Sequence, residues 1–151
     1  MKKTNKGFSL VELIIVIAIM AILAGALAPA LIKYINKSRL STDISTGQTI
    51  ATAITTALSN EQAYDDAADK PLTKFPDAVQ GQGSFTEEVS SILGDFDKIK
   101  VKAKKDMDGS TLSRTFMVKY DIADSKVQVC VGDTNHEVYP TVSKCMTEKT
   151  K

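Results

Sequence analysis

The feature that most constrains this chain is a 25-residue apolar run, Phe8 to Ile32, whose one charged residue is Glu12. About 20 apolar residues are enough for a helix to span a bilayer. An ionised carboxylate in such a helix costs about 2.5 to 3.5 kcal/mol at the bilayer centre, and such groups usually have a function. The run therefore predicts a membrane-spanning helix in which Glu12 has a specific partner.

A short basic segment precedes the run. Lys2, Lys3 and Lys6 lead to a Gly7-Phe8 junction, and cleavage there would create a new α-amino group four residues before Glu12. Lysine-rich flanks of membrane helices stay on the cytoplasmic side. The pattern predicts a cytoplasmic N-terminus and a cationic partner for the carboxylate.

Gly7, Phe8 and Glu12 at this spacing resemble the leader of type IV pilins and their relatives. The resemblance implies that prepilin peptidase cuts after Gly7 and that Phe8 is then N-methylated. It also implies that the Phe8 amine of one subunit neutralises Glu12 of its neighbour as a filament grows. The resemblance covers residues 1 to about 35 and is only architectural beyond them.

Pro29 matches the position of a proline near which pilin helices are known to melt in filaments. Proline inside a helix removes one hydrogen bond and clashes with the preceding turn. The resemblance and this effect of proline together suggest local melting of the helix between about Ala21 and Pro29, and a role for Pro29 in assembly. Ala21 departs from the glycine that many pilins carry there, which leaves the extent of melting open.

Two other interpretations fit the N-terminal run less well. A plain membrane anchor accounts for its length but gives Glu12 no role. A cleaved secretory signal could end at Ala26-Leu27-Ala28, but its apolar core is typically 7 to 15 residues long, and Pro29 would directly follow the cut.

The rest of the chain predicts an α+β fold. We expect a leader at 1–7, a hydrophobic helix at 8–32 and a globular head at 33–151 that includes the amphipathic half of the helix. That half is indicated by an apolar stripe of helical spacing, which comprises Leu40, Ile44, Gly47, Ala51, Ile54 and Leu58. The predicted architecture is a long N-terminal helix, half of it in the membrane, packed on a small antiparallel sheet of three or four strands.

Period-2 alternation predicts strands at 98–104, 115–122 and 126–131, whereas 61–83, rich in proline and glycine, reads as a connecting loop. Ser84 and Glu87 form an S-x-x-E capping box before a short helix that Gly94 can end. Asp108-Gly109 supplies a turn between the first two predicted strands.

The chain has two cysteines, Cys130 and Cys145. An even number in an exported protein predicts a disulfide, which for a loop of this size stabilises by about 3 kcal/mol. The resemblance implies that residues 131–144 form the surface loop bounded by such a bridge in pilins. No metal site is predicted, because two cysteines lack the further ligands that zinc needs, and His136 reads as an ordinary loop histidine.

The sequence contains no residue spacing typical of a catalytic triad, and we expect neither enzyme activity nor a cofactor. Basic and acidic residues number 19 and 18; without Lys2, Lys3 and Lys6 they number 16 and 18, a net charge of −2. This balance does not predict a nucleic-acid-binding surface.

The resemblance therefore implies a pilin, the structural subunit of a type IV pilus. Its partners would be further copies of itself in a helical filament, prepilin peptidase, the inner-membrane assembly machinery and the membrane. It would reside in the cell membrane as a single-pass protein before assembly and in an extracellular filament afterwards.

Two alternatives stay open. A type II secretion pseudopilin shares the leader, but the major pseudopilins use a calcium site where this chain has its cysteines. A minor pilin for DNA uptake or adhesion would use a basic patch, for which the candidates are Lys98, Lys100, Lys102, Lys104 and Lys105. The sequence does not choose among adhesion, twitching motility and DNA uptake.

Overall fold

The computed structural model describes residues 8–150, except for the side chain of Asp97, and divides the chain into two compact units, Met1–Ile35 and Asn36–Lys151. The long helix α1 (Leu10–Ala57) begins in the first unit and ends in the second. Pro29 lies inside α1 without interrupting it. The predicted local melting is therefore not present in the single chain, and melting in a filament stays a prediction.

In the described residues after α1, 58–150, there are nine shorter elements. Three are helices, α2 (Glu61–Asp66), α3 (Gly83–Leu93) and α4 (Lys144–Thr147), and two are 3-10 turns, Phe96–Lys98 and Thr134–His136. The four strands are β1 (Lys70–Lys74), β2 (Phe116–Asp121), β3 (Lys126–Val131) and β4 (Glu137–Tyr139).

The strands form one antiparallel sheet in the order β1-β2-β3-β4. The predicted α+β class with a small antiparallel sheet is confirmed, and the second and third predicted strands correspond to β2 and β3. The predicted loop at 61–83 is wrong in part, because it contains α2 and β1. Pro71 is tolerated in β1 because this strand lies at the sheet edge, where a missing N–H group costs little.

The predicted strand at 98–104 is wrong, although Val101 and Ala103 are buried as its alternation requires. Its backbone N–H groups bond elsewhere: those of Lys102 and Ala103 donate to the Asp43 carboxylate, and that of Val101 donates to the Arg114 carbonyl. The alternating pattern predicted the buried residues correctly. Bonds to a carboxylate side chain and to a single backbone carbonyl take the place of the hydrogen-bond ladder of a β-strand.

The amphipathic stripe of α1 is confirmed as the helix face of the core. Leu40, Gly47 and Ile54 are buried, within a core that also contains Phe116, Val118 and Tyr120 of β2 and Val127, Val129 and Val131 of β3. At Gly47 the β4 residue Val138 comes so close that a Cβ atom would overlap its Cγ2. Glycine there allows the helix to approach the sheet.

The two ends of α3 differ in how well they were predicted. The predicted capping box of Ser84 and Glu87 is wrong, because the N-cap residue is Gln82 and its side chain makes no capping bond. The Ser84 N–H donates instead to Asp66 Oδ2 at 2.7 Å. Gly94 ends the helix as predicted, with a φ of 73°. The Gln82 side chain is used elsewhere, donating to the Tyr120 hydroxyl at 2.7 Å inside the core.

Candidate functional site

The described part of the first unit, residues 8–35, is an apolar helical segment with an exposed surface. Large aliphatic side chains from Leu10 to Ile35 are 42 to 72% exposed. Because consecutive residues such as Ile14, Ile15 and Val16 are all exposed, this surface surrounds the helix. One 18-residue window of α1 has a mean hydropathy of 2.8 with none of it buried, which is long and apolar enough to cross a membrane. A helix that is apolar on every face needs lipid or other helices around it.

Glu12 lies in the first turn of this helix and is exposed. Its Oε2 accepts a hydrogen bond from the Ser9 N–H at 2.8 Å, and the Ser9 Oγ accepts one from the Val11 N–H at 3.3 Å. Ser9 thus caps the N2 amide while Glu12 reaches back to the Ser9 amide as in a capping box, an S-x-x-E pattern at 9–12 that the sequence analysis overlooked. In the single chain the carboxylate therefore stabilises the start of the helix while remaining accessible.

The other residues predicted for processing and assembly have different surroundings. Phe8 precedes the helix and is 88% exposed, Pro29 is part of the helix, and Gly7 lies outside the described residues. No contact in the structure tests cleavage, methylation or pairing at these positions, and all three stay predictions.

The two cysteines are free thiols in the structure, Cys130 buried and Cys145 half-buried. The predicted disulfide is thus not formed here and stays a prediction. Burial, the largest cause, and the carboxylates of Glu137 and Asp133 raise the pKa of Cys130 to about 11. A buried thiol with that pKa has little thiolate at neutral pH, so it is a poor nucleophile.

Comparison with known proteins shows what the chain is similar to. The prokaryotic N-terminal methylation motif matches residues 2–28. A fimbrial protein of Dichelobacter nodosus is 31% identical over 103 residues, and a type IV major fimbrial protein FimA of the same organism is 32% identical over 109 residues. Over this region the chain is similar to type IV fimbrial proteins.

The matched region is 68% of this chain and 62% of each of these two curated relatives. The chain therefore covers less than two thirds of the relatives that it matches. No solved structure matches it.

Within the head, here residues 36–150, one buried carboxylate joins α1 to the irregular segment 98–104. Asp43 is 1% exposed, and its two oxygens accept the N–H groups of Lys102 at 2.8 Å and Ala103 at 2.7 Å. Burial raises the pKa of Asp43, while these two N–H bonds and the charges of Lys102 and Arg39 oppose that rise. Asp43 holds the irregular segment 98–104 against α1.

A second polar cluster joins the turn after that segment to the C-terminal part of the chain. The His136 ring lies between two carboxylates, with Nδ1 2.6 Å from Asp133 Oδ1 and Nε2 3.3 Å from Asp106 Oδ2. Asp106 is 4% exposed, and the Cys145 sulfur lies within 4.8 Å of the Asp106 and His136 ligand atoms. The sequence analysis treated His136 as an ordinary loop residue. The members of this cluster lie too far apart along the chain for their spacing to predict it.

The basic residues of 98–104 form a groove rather than a strand face. Arg39 of α1 and Arg114 line a cavity of about 460 Å³ together with Lys98, Lys100, Lys102 and Lys104. Lys98 also forms an exposed ion pair with Asp95. So many cations around one cavity create a positive potential that attracts anionic groups.

Proposed function

We propose that this chain is a pilin, a structural subunit of a type IV pilus without enzyme activity, that assembles through the apolar half of α1. The observation that carries the proposal is the apolar surface around the whole helix from Leu10 to Ile35, with the exposed carboxylate of Glu12 at its start. Lipid covers such a surface in the membrane, and the same helices of neighbouring subunits cover it in a filament. Removal of this area from water is the main source of cohesion, at roughly 25 cal/mol per Å² of apolar surface.

Processing at the Gly7-Phe8 junction prepares the subunit for assembly. Prepilin peptidase is the proposed partner for this step, acting while the basic leader lies in the cytoplasm and α1 lies in the membrane. The match of the methylation motif to residues 2–28 and the exposure of Phe8 support this order of events. The product is extracted by the pilus machinery into an extracellular filament.

Glu12 sets the axial register of the filament by pairing with the Phe8 amine of a neighbouring subunit. Inside a helix bundle, either charge without the other would be buried unpaired at a cost of several kcal/mol. In the single chain the carboxylate is exposed and bonded only locally to Ser9, so it can take a new partner without a large rearrangement.

The test separates the charge of Glu12 from its capping bond. Glutamine at the third helical position can still accept the Ser9 N–H bond but carries no charge. We expect Glu12→Gln and Glu12→Ala to be inserted and cleaved normally, as measured by mass spectrometry of membrane fractions. We also expect both to reduce the yield of sheared filaments at least tenfold.

Glu61→Gln is the matched control, since Glu61 is exposed at the start of α2 in the head, and its filament yield should equal that of the wild type. A normal filament yield from Glu12→Gln would contradict the register role of the charge. Loss of cleavage in that variant would mean that Glu12 acts in processing rather than assembly.

A further inference from the structure

We propose that the cationic groove of the head binds the phosphate groups of anionic phospholipids in the membrane that holds α1. The groove is the cavity lined by six cations, which are Arg39, Lys98, Lys100, Lys102, Lys104 and Arg114. The inference rests on one part of the proposed function, the insertion of the apolar half of α1 into a membrane, and not on filament assembly. It gives the head a contact with the membrane of its own.

The groove lies at the end of the head where the apolar segment of the chain joins it. Asn36 is the first residue of the second unit, and its Nδ2 donates to the Lys105 carbonyl at 3.0 Å, which fastens the lysine-rich segment beside this junction. Arg39 follows Ile35, the last exposed aliphatic residue of the apolar segment, by four residues. Four residues span at most about 14 Å even in an extended chain. The groove therefore lies close to lipid phosphates when the apolar segment is in a membrane.

The cations of the groove are exposed, and they outnumber the carboxylates described beside them. Residues 98–105 contain five lysines and no acidic residue. Lys98 forms an exposed ion pair with Asp95. The Asp43 carboxylate is buried and already accepts two backbone N–H groups of the segment. Within the described residues, the groove thus presents an excess of positive charge to solvent.

The backbone of the segment arranges these cations in a row. Val101 and Ala103 are buried, and the lysines at even positions from 98 to 104 are exposed. Alternate residues of an extended segment point to the same side. Arg114 lies beside this row, because its carbonyl accepts the Val101 N–H at 3.3 Å. The cavity of about 460 Å³ is in the size range of sites for small organic ligands, which suits a glycerophosphate headgroup.

Lipid phosphates suit this set of donors. A guanidinium group binds phosphate oxygens through paired hydrogen bonds, and an ammonium group binds them as a point charge. Basic segments next to a membrane helix are attracted to anionic lipids, and each cation near the surface strengthens that binding about fivefold. Phosphatidylcholine also has a phosphate, but its own ammonium group cancels the charge. We therefore expect the groove to prefer phosphatidylglycerol to phosphatidylcholine.

The covalent connection to α1 favours lipid over a soluble phosphate compound. Tethering two binding groups makes the second contact intramolecular and raises the effective concentration of its ligand. An inserted apolar segment keeps the groove next to headgroups, whereas a nucleic acid or a free phosphate must be captured from solution.

The test is lysine labelling of the full chain in nanodiscs of phosphatidylcholine with or without phosphatidylglycerol. Co-elution with the nanodiscs shows insertion, and mass spectrometry measures acetylation of each lysine by a water-soluble reagent. We expect phosphatidylglycerol to slow acetylation of Lys100 and Lys102 about fivefold or more, and high salt to remove the effect. Lys74 and Lys119 are exposed outside the groove and should react equally in both kinds of nanodisc.

Arg39→Gln combined with Arg114→Gln removes two cations of the groove without removing a labelled lysine. Phosphatidylglycerol should protect Lys100 and Lys102 much less in this double variant than in the wild type. Lys119→Gln is the control variant and should retain the full protection. Circular dichroism shows whether each variant is folded.

Equal labelling of Lys100 and Lys102 in both kinds of nanodisc would overturn this inference while leaving the proposed function intact. A chain that does not enter nanodiscs would contradict both. If free glycerol phosphate or a DNA duplex protected the two lysines in phosphatidylcholine nanodiscs as well as phosphatidylglycerol does, the assignment to lipid would be wrong.

Discussion

At the residue scale, Asp43 shows what a hydrophobic pattern leaves out. The stripe from Leu40 to Leu58 predicted the buried face of α1 correctly, but Asp43 is not part of that stripe and is buried too. The Asp43 carboxylate is buried because its partners, the N–H groups of Lys102 and Ala103, lie about 60 residues further along the chain. Helical periodicity carries no information about a partner at that distance.

Replacement of Asp43 by asparagine tests this contact. An amide keeps one acceptor oxygen but turns an NH₂ donor toward one of the two backbone N–H groups. We expect Asp43→Asn to lower the free energy of unfolding by about 1 to 3 kcal/mol, the cost of an unsatisfied buried group. Chemical denaturation followed by circular dichroism measures it, with Asp65→Asn at an exposed position as the control. Equal stability of Asp43→Asn and the control would show that the bonds of Asp43 to Lys102 and Ala103 contribute nothing to the free energy of unfolding.

At the element scale, β2 and β3 were predicted well because their alternating residues also pair in a regular ladder. The segment 98–104 has the same alternation but bonds to Asp43 and Arg114, and an alternating pattern cannot distinguish these cases. β1 was missed because Pro71 and its neighbouring prolines and glycines indicated a loop. The S-x-x-E pattern was noticed at Ser84, where it makes no cap, and overlooked at Ser9, where it does.

The close approach of α1 and β4 at Gly47 yields a prediction for the packing of these elements. Alanine favours a helix over glycine by about 1 kcal/mol, but a Cβ at this position would overlap Val138. Overpacking typically costs about 1 to 3 kcal/mol. We therefore expect Gly47→Ala to lower the thermal unfolding midpoint of the detergent-solubilised chain.

Gly25→Ala is the matched control in the same helix, because nothing lies within 4 Å of a Cβ atom there. That variant should retain or slightly raise the unfolding midpoint. If Gly47→Ala were as stable as Gly25→Ala, close helix-to-sheet contact would not be the reason for glycine at 47.

At the scale of the whole molecule, every residue of the hydrophobic core cluster lies in the second unit, between Leu40 and Met146. The fragment 36–151 should therefore fold without the apolar half of α1. We expect it to be soluble and monomeric by size-exclusion chromatography and to unfold cooperatively. Aggregation or absence of a cooperative transition would show that the N-terminal half of the helix is needed for folding.

The apolar run and its leader were recognisable from sequence because their information is local: length, charge and spacing lie within about 35 residues. The cluster of Asp106, His136 and Cys145 was not recognisable from sequence, because only the fold brings these residues together. The information on Glu12 is local only in part. Its capping partner Ser9 is nearby in the sequence, whereas its proposed filament partner belongs to another molecule.

The most direct test of the filament account is intact mass and N-terminal sequencing of protein sheared from the surface of the producing cells. The account predicts a chain that begins at N-methylated Phe8 and is recovered in filaments. An unprocessed chain that begins at Met1 and is confined to membranes would contradict it and would leave α1 as a plain anchor.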